Sequence, residues 1–241
     1  MKSFFVYLFV LCSPLVLLSQ DLRGPQLLEK AIEYHDPNDH WTTFNDSFTV
    51  TMETPNNPDR NSRIVIDIPG EHFYMKAVRD TTAIEYRLDA LDGCEVLLNG
   101  SADFSEDESK KNGLTCERAS LFKNYYTYLY GLPMKLKDPG THIDQKVAKK
   151  TFKGKEYLVL KATYDEGVGS DVWFFYFDPT TYAMEVYQFY KGDPNGKGKD
   201  TGEYILLTEE EVVNGIKMPK TRAWYYNKDD KYLGTDILKL E

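Results

Sequence analysis

Apolar and polar residues alternate with a period of two over most of this chain, beginning after residue 42. Phe48, Val50 and Met52, for example, alternate with threonines. Such alternation is typical of strands that turn one face to a core and the other to solvent. We predict an antiparallel meander of about five strands before residue 99, and six further strands at 157–164, 172–177, 184–190, 203–207, 220–226 and 234–240.

Two segments have helical spacing instead. Residues 26–34 place Leu27, Ala31 and other apolar side chains on one face, after a proline that suits a first helical turn. Residues 115–130 carry a broad apolar and aromatic face, formed by Phe122, Tyr125, Tyr126 and Leu129. We therefore predict two helices, one before the meander and one between the two groups of strands.

The segment 131–141, with the sequence GLPMKLKDPGT, connects the second helix to the later strands. Its two prolines and two glycines exclude regular helix or sheet, because proline lacks a backbone donor and glycine favours unusual backbone angles. Leu132, Met134 and Leu136 are nevertheless too apolar for a solvated linker. We predict an ordered, partly buried crossover.

Two other segments have an unusual distribution of apolar residues. Residues 99–112 are acidic and rich in serine and lysine, which favours a surface loop. Residues 172–177, VWFFYF, are apolar on both faces, so we place this strand centrally in the sheet and under a helix. We expect Trp173 and Trp224 to be largely buried.

The first nineteen residues have the layout of a secretory signal. Lys2 precedes an apolar run without charge, and Ser19 is a small residue before polar Gln20. We predict export with cleavage near Ser19/Gln20, which leaves a single β-rich domain, 20–241, soluble in the periplasm or outside the cell. The formal charge is −9, and removal of Lys2 makes it −10. Such a chain is not expected to bind nucleic acid or an anionic membrane surface, which both favour clustered basic residues.

Cys94 and Cys116 are the cysteines that remain after the predicted cleavage. Two cysteines in an oxidising compartment are expected to form one disulfide. The alternative is a pair of unpaired buried thiols, since a bond also requires the two Cα atoms to lie within ~7 Å of each other.

The sequence contains no motif that identifies a catalytic or metal site. The sequence lacks the Gly-x-Ser-x-Gly motif that holds the nucleophile in one large class of hydrolases. It contains many carboxylates, but their positions do not single out a pair for glycoside hydrolysis. Pro37 interrupts the regular spacing that would align nearby histidines as metal ligands. We predict no catalytic residue, no metal and no cofactor. The residues with metal-binding side chains that we consider here are His35, Asp36, Asp39, His40 and His72.

Four motifs distinguish the chain: Tyr34-His35-Asp36-Pro37, the crossover 131–141, Gly169-Ser170-Asp171-Val172-Trp173 and Leu233-Gly234-Thr235-Asp236. On these motifs the chain resembles a family of exported Gram-negative envelope proteins without an established activity. Its order of elements is similar to that of the lipoprotein-carrier (outer-membrane lipoprotein-sorting) superfamily. That resemblance implies a mainly β fold with two helices, in which a curved, incomplete antiparallel barrel of about 10–11 strands holds the helices in its concavity.

The superfamily resemblance also implies a cavity for acyl chains on the concave face. We expect a non-enzymatic periplasmic carrier or sensor, a monomer that binds a lipid or another apolar small molecule, with an envelope protein as a further partner. The apolar alternation in the crossover 131–141 leads us to expect that the helix before it acts as a lid; the alternative is an ordinary buried connection without lid motion. The candidate ligand-binding residues are Ile66, Tyr86, Phe122, Tyr125, Leu129, Leu132, Met134 and Trp173.

Two other functions are compatible with the sequence. One is a structural or protein-interaction module of the cell envelope whose concavity is simply a filled core. The other is a hydrolase that uses carboxylates the sequence does not identify. An open apolar cavity favours the carrier, a filled interior favours the module, and converging carboxylates with shifted pKa values favour the hydrolase.

Overall fold

The computed structural model describes residues 22–91 and 93–240. The predicted signal and its cleavage site lie outside the described residues. The described chain forms three helices, α1 (Gly24–His35), α2 (Glu106–Asn112) and α3 (Cys116–Tyr130). Its strands are β1 (Asn45–Thr54), β2 (Asn57–Asp67), β3 (His72–Arg79), β4 (Thr82–Asp89), β5 (Gly93–Leu98), β6 (Thr141–Ile143), β7 (Ala148–Phe152), β8 (Lys155–Tyr164), β9 (Val172–Phe177), β10 (Met184–Tyr190), β11 (Glu203–Val213), β12 (Ile216–Tyr226) and β13 (Tyr232–Lys239).

All the strands belong to one antiparallel sheet in the order β5-β4-β3-β2-β1-β13-β12-β11-β10-β9-β8-β6, with β7 also paired to β8. The two ends of this order do not pair, so the sheet is an incomplete barrel. The prediction of a mainly β, curved and open antiparallel barrel is confirmed. The sheet has 13 strands instead of 10 or 11 because β6 and β7 are short and mostly polar, without the alternation that marks a strand.

The antiparallel pairing brings alternate strand ends together at one side of the molecule. β1, β3, β8, β10 and β12 end there, and β2, β4, β9, β11 and β13 begin there. We call this side the upper end of the sheet. It carries the segments 165–171, 191–202 and 227–231.

The core lies on the concave face, where α1 and α3 pack against the sheet. Phe48, Tyr126, Tyr130 and Tyr187 are almost completely buried there. Phe48 stacks on Tyr130 with ring centroids 4.7 Å apart. The centre of the concavity is therefore filled by aromatic rings from the sheet and from α3.

The Tyr34-His35-Asp36-Pro37 motif joins α1 to the sheet at the lower end. The His35 ring is fully buried, its Nδ1 donates to the Lys217 carbonyl at 2.7 Å, and its Nε2 accepts from the Met184 amide at 2.9 Å. The Asp36 carboxylate accepts from the backbone amides of His40 and Trp41, both at 2.8 Å. These hydrogen bonds fix the chain as it leaves α1.

The crossover packs its apolar side chains into the core. Leu132, Met134 and Leu136 are 2%, 7% and 2% exposed, which confirms the predicted burial. Residues Met134–Lys137 form one turn of 3-10 helix. Gly131 faces the Trp41 ring so closely that a β-carbon would lie 2.2 Å from it.

The strand β9 is not central, as expected, but third from one edge of the sheet. Its inner face does lie under a helix, since Trp173 packs against Tyr128 of α3. Its outer face is covered by a small apolar cluster on the convex side that includes Phe152 of β7. We call it the outer cluster: its buried members are Tyr157, Val159, Tyr176 and Val186, and its partly buried members include Phe152 and Phe174. A strand near the edge of the sheet can therefore be covered on both faces, as β9 is.

The predicted surface loop at 99–112 contains a helix instead. The Ser105 hydroxyl accepts from the Glu108 amide at 3.2 Å, and the Glu108 carboxylate accepts from the Ser105 amide at 2.8 Å. This reciprocal capping starts α2, and Gly113 ends it with a positive φ of 66°. No residue of α2 is buried, so the helix has no apolar stripe that would mark it in the sequence.

Replacing His35 should remove part of the pH dependence of stability. Burial lowers the pKa of His35 to about 4, below the ordinary 6.5 of an unfolded chain. Between these values the unfolded state binds a proton that the folded state does not, so stability falls as the pH falls. From pH 7 to pH 5 this group should lower the free energy of unfolding by about 2 kcal/mol.

Urea unfolding at the two pH values measures this difference. The His35→Gln variant should lose less stability on acidification than the wild type. The exposed His142 serves as the control, and a His142→Gln variant should keep the wild-type loss. An unchanged pH dependence in His35→Gln would contradict the assignment.

A methyl group at Gly131 should disturb the contact between the crossover and Trp41. We expect Gly131→Ala to lower the free energy of unfolding by about 1–3 kcal/mol, because neither backbone nor ring can move freely in the packed core. At Gly167 a β-carbon would meet no other atom within 4 Å, so Gly167→Ala is the matched control. Equal stability of the two variants in urea unfolding would show that the contact is not tight.

Candidate functional site

Within the part of the chain that the structure describes, three cavities beside α3 open at the upper end of the sheet. The first, of about 800 Å³, lies between α3, the crossover and the segment that joins β8 to β9. The second, of about 430 Å³, lies between α3, α2 and the strands β2 to β4. The third, of about 270 Å³, lies between α3 and the strands β1, β11, β12 and β13. The rings of α3 stand between these cavities.

Aromatic rings form much of the wall of the first cavity. Tyr128 of α3 meets Trp173 edge-on, with ring centroids 5.6 Å apart, and its hydroxyl hydrogen-bonds that of Tyr164. Trp173 also stacks on Phe189 at 4.8 Å. Val168, which is 59% exposed, adds an aliphatic side chain. We expected Trp173 to be largely buried, but this ring is only half-buried because it faces the cavity.

Both signs of charge are found around the first cavity. Lys135 is paired with Asp138, whereas Lys123 forms no salt bridge within the described chain. Burial raises the pKa of the Asp171 carboxyl. Burial also raises the pKa of the Tyr164 hydroxyl to about 12, so this group stays protonated at neutral pH. Among the charged groups that line this cavity, the unpaired ammonium group of Lys123 is thus the one most suited to an acidic ligand.

The second cavity has a basic wall. Arg60, Arg79, Lys111 and Arg118 line it together with one acidic residue, Asp80.

The third cavity contains two carboxyl groups, those of Asp236 and Glu203. Burial raises the pKa of both. The Asp236 carboxylate accepts from the Trp224 indole at 3.1 Å and from the Tyr125 hydroxyl at 3.3 Å. Trp224 faces this cavity and is half-buried, not largely buried as expected.

A buried arginine lies beneath these cavities. The Arg222 guanidinium donates to the Pro219 carbonyl at 2.8 Å and to the Leu129 carbonyl at 3.5 Å. It lies over the Tyr130 ring, 3.8 Å from the centroid. Since Leu129 and Tyr130 are the last residues of α3, Arg222 fastens the end of this helix to the sheet.

The start of α3 is fastened as well. Cys116, its first residue, is disulfide-bonded to Cys94 of β5, with the Cα atoms 6.0 Å apart. The bond is the one expected from the two cysteines. A helix held covalently at one end and by buried contacts at the other cannot swing away as a rigid body without breaking one of them.

The structure distributes the eight candidate ligand-binding residues over different places. Trp173 lines the first cavity, Tyr86 and Phe122 line the second, and Tyr125 lines the third. The remaining four, Ile66, Leu129, Leu132 and Met134, are buried in the core. The candidates are therefore not gathered around one cavity.

The five residues considered as a metal site do not form a metal-binding group in the described chain. His35 and Asp36 are engaged as described above, whereas the His72 imidazole meets Asp89 at 3.0 Å on the strand pair β3–β4. His40 Nδ1 lies 2.9 Å from the Asn214 carbonyl. Among residues 22–91 and 93–240 no three His, Cys, Asp or Glu side chains converge in a way that could hold a metal ion.

Several residues around the cavities were missed by sequence reasoning. Tyr128 lies next to the predicted aromatic face of the helix 115–130, and Tyr164 ends a predicted strand. Nothing in the sequence indicates that these two tyrosines contact each other. Arg60 and Arg79 continue the inward-facing rows of β2 and β3, which the alternation of the strands could have shown. Arg222 and Asp236 are charged residues in such rows, and a charged residue at an inward-facing position marks a site with a specific partner.

Removing Arg222 should loosen the end of α3. We expect Arg222→Met to lower the free energy of unfolding by roughly 3 kcal/mol, because two carbonyl acceptors lose their donor and Asp236 loses a nearby cation. Lys220→Met, on the same strand, removes an equal charge from the surface and should change stability little. Guanidinium unfolding of both variants measures the difference, and equal losses would contradict the role of Arg222.

Comparison with known proteins gives relatives of low similarity and one family. A LolA superfamily protein, NE2245 from Nitrosomonas europaea, is 13% identical with a TM-score of 0.49, over 90% of this chain and 91% of that one. A DUF1329 family protein from Desulfovibrio piger is 10% identical with a TM-score of 0.46, over the same shares. A search of curated proteins found no match. The model of DUF6503, a family of unknown function, matches residues 2–240, and the chain belongs to that family.

Proposed function

We propose that this protein is a non-enzymatic binding protein, a carrier or sensor, for an amphiphilic small molecule or lipid with an apolar body and an acidic head group. The observation that carries the proposal is the first cavity, which has aromatic walls and an unpaired lysine. Its volume of about 800 Å³ lies within the range of ~300–1,000 Å³ typical of small-molecule sites.

The apolar body of the ligand is proposed to lie between the rings of Tyr128, Tyr164 and Trp173. These three rings and Val168 face the same space. Each offers apolar area that is not yet covered, so a hydrocarbon chain placed there gains about 25 cal/mol for each Å² removed from water. Each of these rings combines a large apolar body with one polar group, which suits an amphiphilic ligand.

The head group is proposed to meet Lys123. This residue lines the cavity from α3, beside the polar side chains of Asn124 and Thr127. An ammonium group without a carboxylate partner attracts an acidic head group at a small desolvation cost, since Lys123 is only partly buried. Binding at this place does not require α3 to move.

The cellular site and assembly are part of the proposal. We propose that the chain is exported to the periplasm, which the apolar segment at residues 3–18 supports. We also propose that it acts there as a monomer, which the net charge of −9 supports. No helix of the described chain is both long enough and apolar enough to cross a membrane.

Two observations favour the other candidate functions. The aromatic filling of the concavity favours an interaction module, in which no ligand would enter. The pair of carboxyl groups in the third cavity favours a hydrolase, because raised pKa values are typical of general acids. Asp236, however, is 3% exposed and already accepts two hydrogen bonds. Hydrolysis of a saccharide or ester by the wild type but not by Glu203→Gln would establish the enzyme instead.

The neighbouring residues Trp173 and Phe174 provide a matched test of ligand binding. Trp173 lines the first cavity, whereas Phe174 belongs to the outer cluster on the opposite face of the strand. We expect Trp173→Ala to weaken binding of a fluorescent fatty acid about tenfold, which corresponds to ~1.4 kcal/mol. Phe174→Ala, which also removes a ring, should bind as the wild type does. Fluorescence titration measures both.

The head group is tested with Lys123→Met and the same probe. This variant should bind the fatty acid more weakly and should bind its uncharged methyl ester as the wild type does. If the wild type takes up neither probe, or if both aromatic variants lose binding equally, the first cavity is not the binding site.

A further inference from the structure

We propose that the second cavity at the upper end is a binding site for a phosphomonoester group, independent of the ligand in the first cavity. The cavity lies on the other side of α3, between this helix and the turn that joins β3 to β4. Its wall is basic, and four observations point to an anion.

The first observation is the place of two arginines in the sheet. Arg60 continues the row of inward-facing residues that includes Ile64, and Arg79 continues the row that includes Met75. The other inward positions of these rows are apolar or small. Strands that keep one face for the core do not need a guanidinium there, and two neighbouring strands carry one at the same end.

The second observation is that further cations come from the helices. Arg118 of α3 and Lys111 of α2 line the same cavity. The guanidinium groups of Arg60 and Arg118 both lie near the Phe122 ring, 5.8 Å and 4.8 Å from its centroid. Four positive side chains thus converge in a protein whose net charge is −9.

The third observation is that these cations lack acidic partners. Within residues 22–91 and 93–240 none of the four forms a salt bridge, although Asp80 also lines the cavity. Arg60 Nη2 donates to the Tyr126 hydroxyl at 3.1 Å. Like charges that converge without a counter-ion repel each other, so a bound anion would stabilise the arrangement.

The fourth observation concerns individual donors. The Nε atoms of Arg60 and Arg79 are both buried, and neither has a hydrogen-bond partner in the described chain. A buried donor without an acceptor is destabilising. The two guanidinium groups therefore have donor capacity that the described chain does not use, which an anion with several acceptor oxygens could draw on.

The shape of the donors and walls selects the class of anion. A guanidinium group is a planar fork that matches two oxygens of a phosphate. The volume of about 430 Å³ leaves room beside a phosphate for an organic substituent, and Ile84, Tyr86 and Phe122 offer it an apolar wall. A phosphomonoester with a small organic group fits this site, whether it comes from a lipid head group or from a free metabolite.

The experiment is calorimetric titration of the full protein with inorganic phosphate and with hexyl phosphate. Hexyl phosphate should bind at least about tenfold more tightly than phosphate, because it also covers the apolar wall. Arg79→Gln and Arg118→Gln should each weaken its binding about tenfold or more. Arg87 lies on the surface of the neighbouring strand and is paired with Glu95, so Arg87→Gln is the control and should bind normally.

A second measurement separates ligand binding from a structural role. In chloride buffer Arg118→Gln should unfold at a higher temperature than the wild type, because it removes one of four repelling charges. In hexyl phosphate the order should reverse. Arg118 is exposed, so its replacement does not disturb the core. Lower stability of this variant in both buffers would overturn the proposal.

The source of the phosphomonoester is decided by competition. Phosphatidylcholine vesicles that contain phosphatidate should displace hexyl phosphate if the group belongs to a lipid, and should leave it bound if the group belongs to a free metabolite. Either result supports the site and assigns its source. Absence of binding of both soluble phosphates, or equal binding by the wild type, Arg79→Gln and Arg118→Gln, would overturn it.

Discussion

The packing of the α3 rings against the concave face of the sheet is the interaction on which the rest of the structure depends. An open sheet of this size exposes a large apolar concavity unless something covers it. Tyr126 and Tyr130 fill the centre, while Phe122, Tyr125 and Tyr128 reach Tyr86, Trp224 and Trp173 nearer the upper end. The same contacts that complete the core therefore divide the mouth of the barrel into three cavities of different chemistry.

The fold could be predicted where one physical signal dominated. In strands such as β1, apolar and polar residues alternate because one face of the strand is covered. The crossover was predicted to be buried because its side chains are apolar, and they do lie in the core. The elements that were missed lack this signal. The strand β7 is held by pairing with β8, and α2 is held by its capping box at Ser105. The membership in a family of unknown function was also expected from the motifs and is confirmed.

The candidate site was harder to predict, because apolar character marks core and cavity residues alike. Leu132 and Trp173 looked equivalent in the sequence, yet one fills the core and the other faces an opening. What separates them is the position of α3 above the sheet, which depends on contacts distant in sequence, such as that of Arg222 with Leu129. The inward-facing arginines were the clearer signal, since a charge on a buried face needs a physical reason.

The central claim is that an amphiphile lies in the first cavity, between α3 and the strands β8 and β9. Photocrosslinking with a fatty acid that carries a diazirine in its chain tests this most directly, because the labelled residues can be mapped by mass spectrometry. The account predicts labels within 123–128 and 164–173, and their loss when unlabelled fatty acid competes. Labels confined to the convex outer cluster, or labels that unlabelled fatty acid does not reduce, would contradict it.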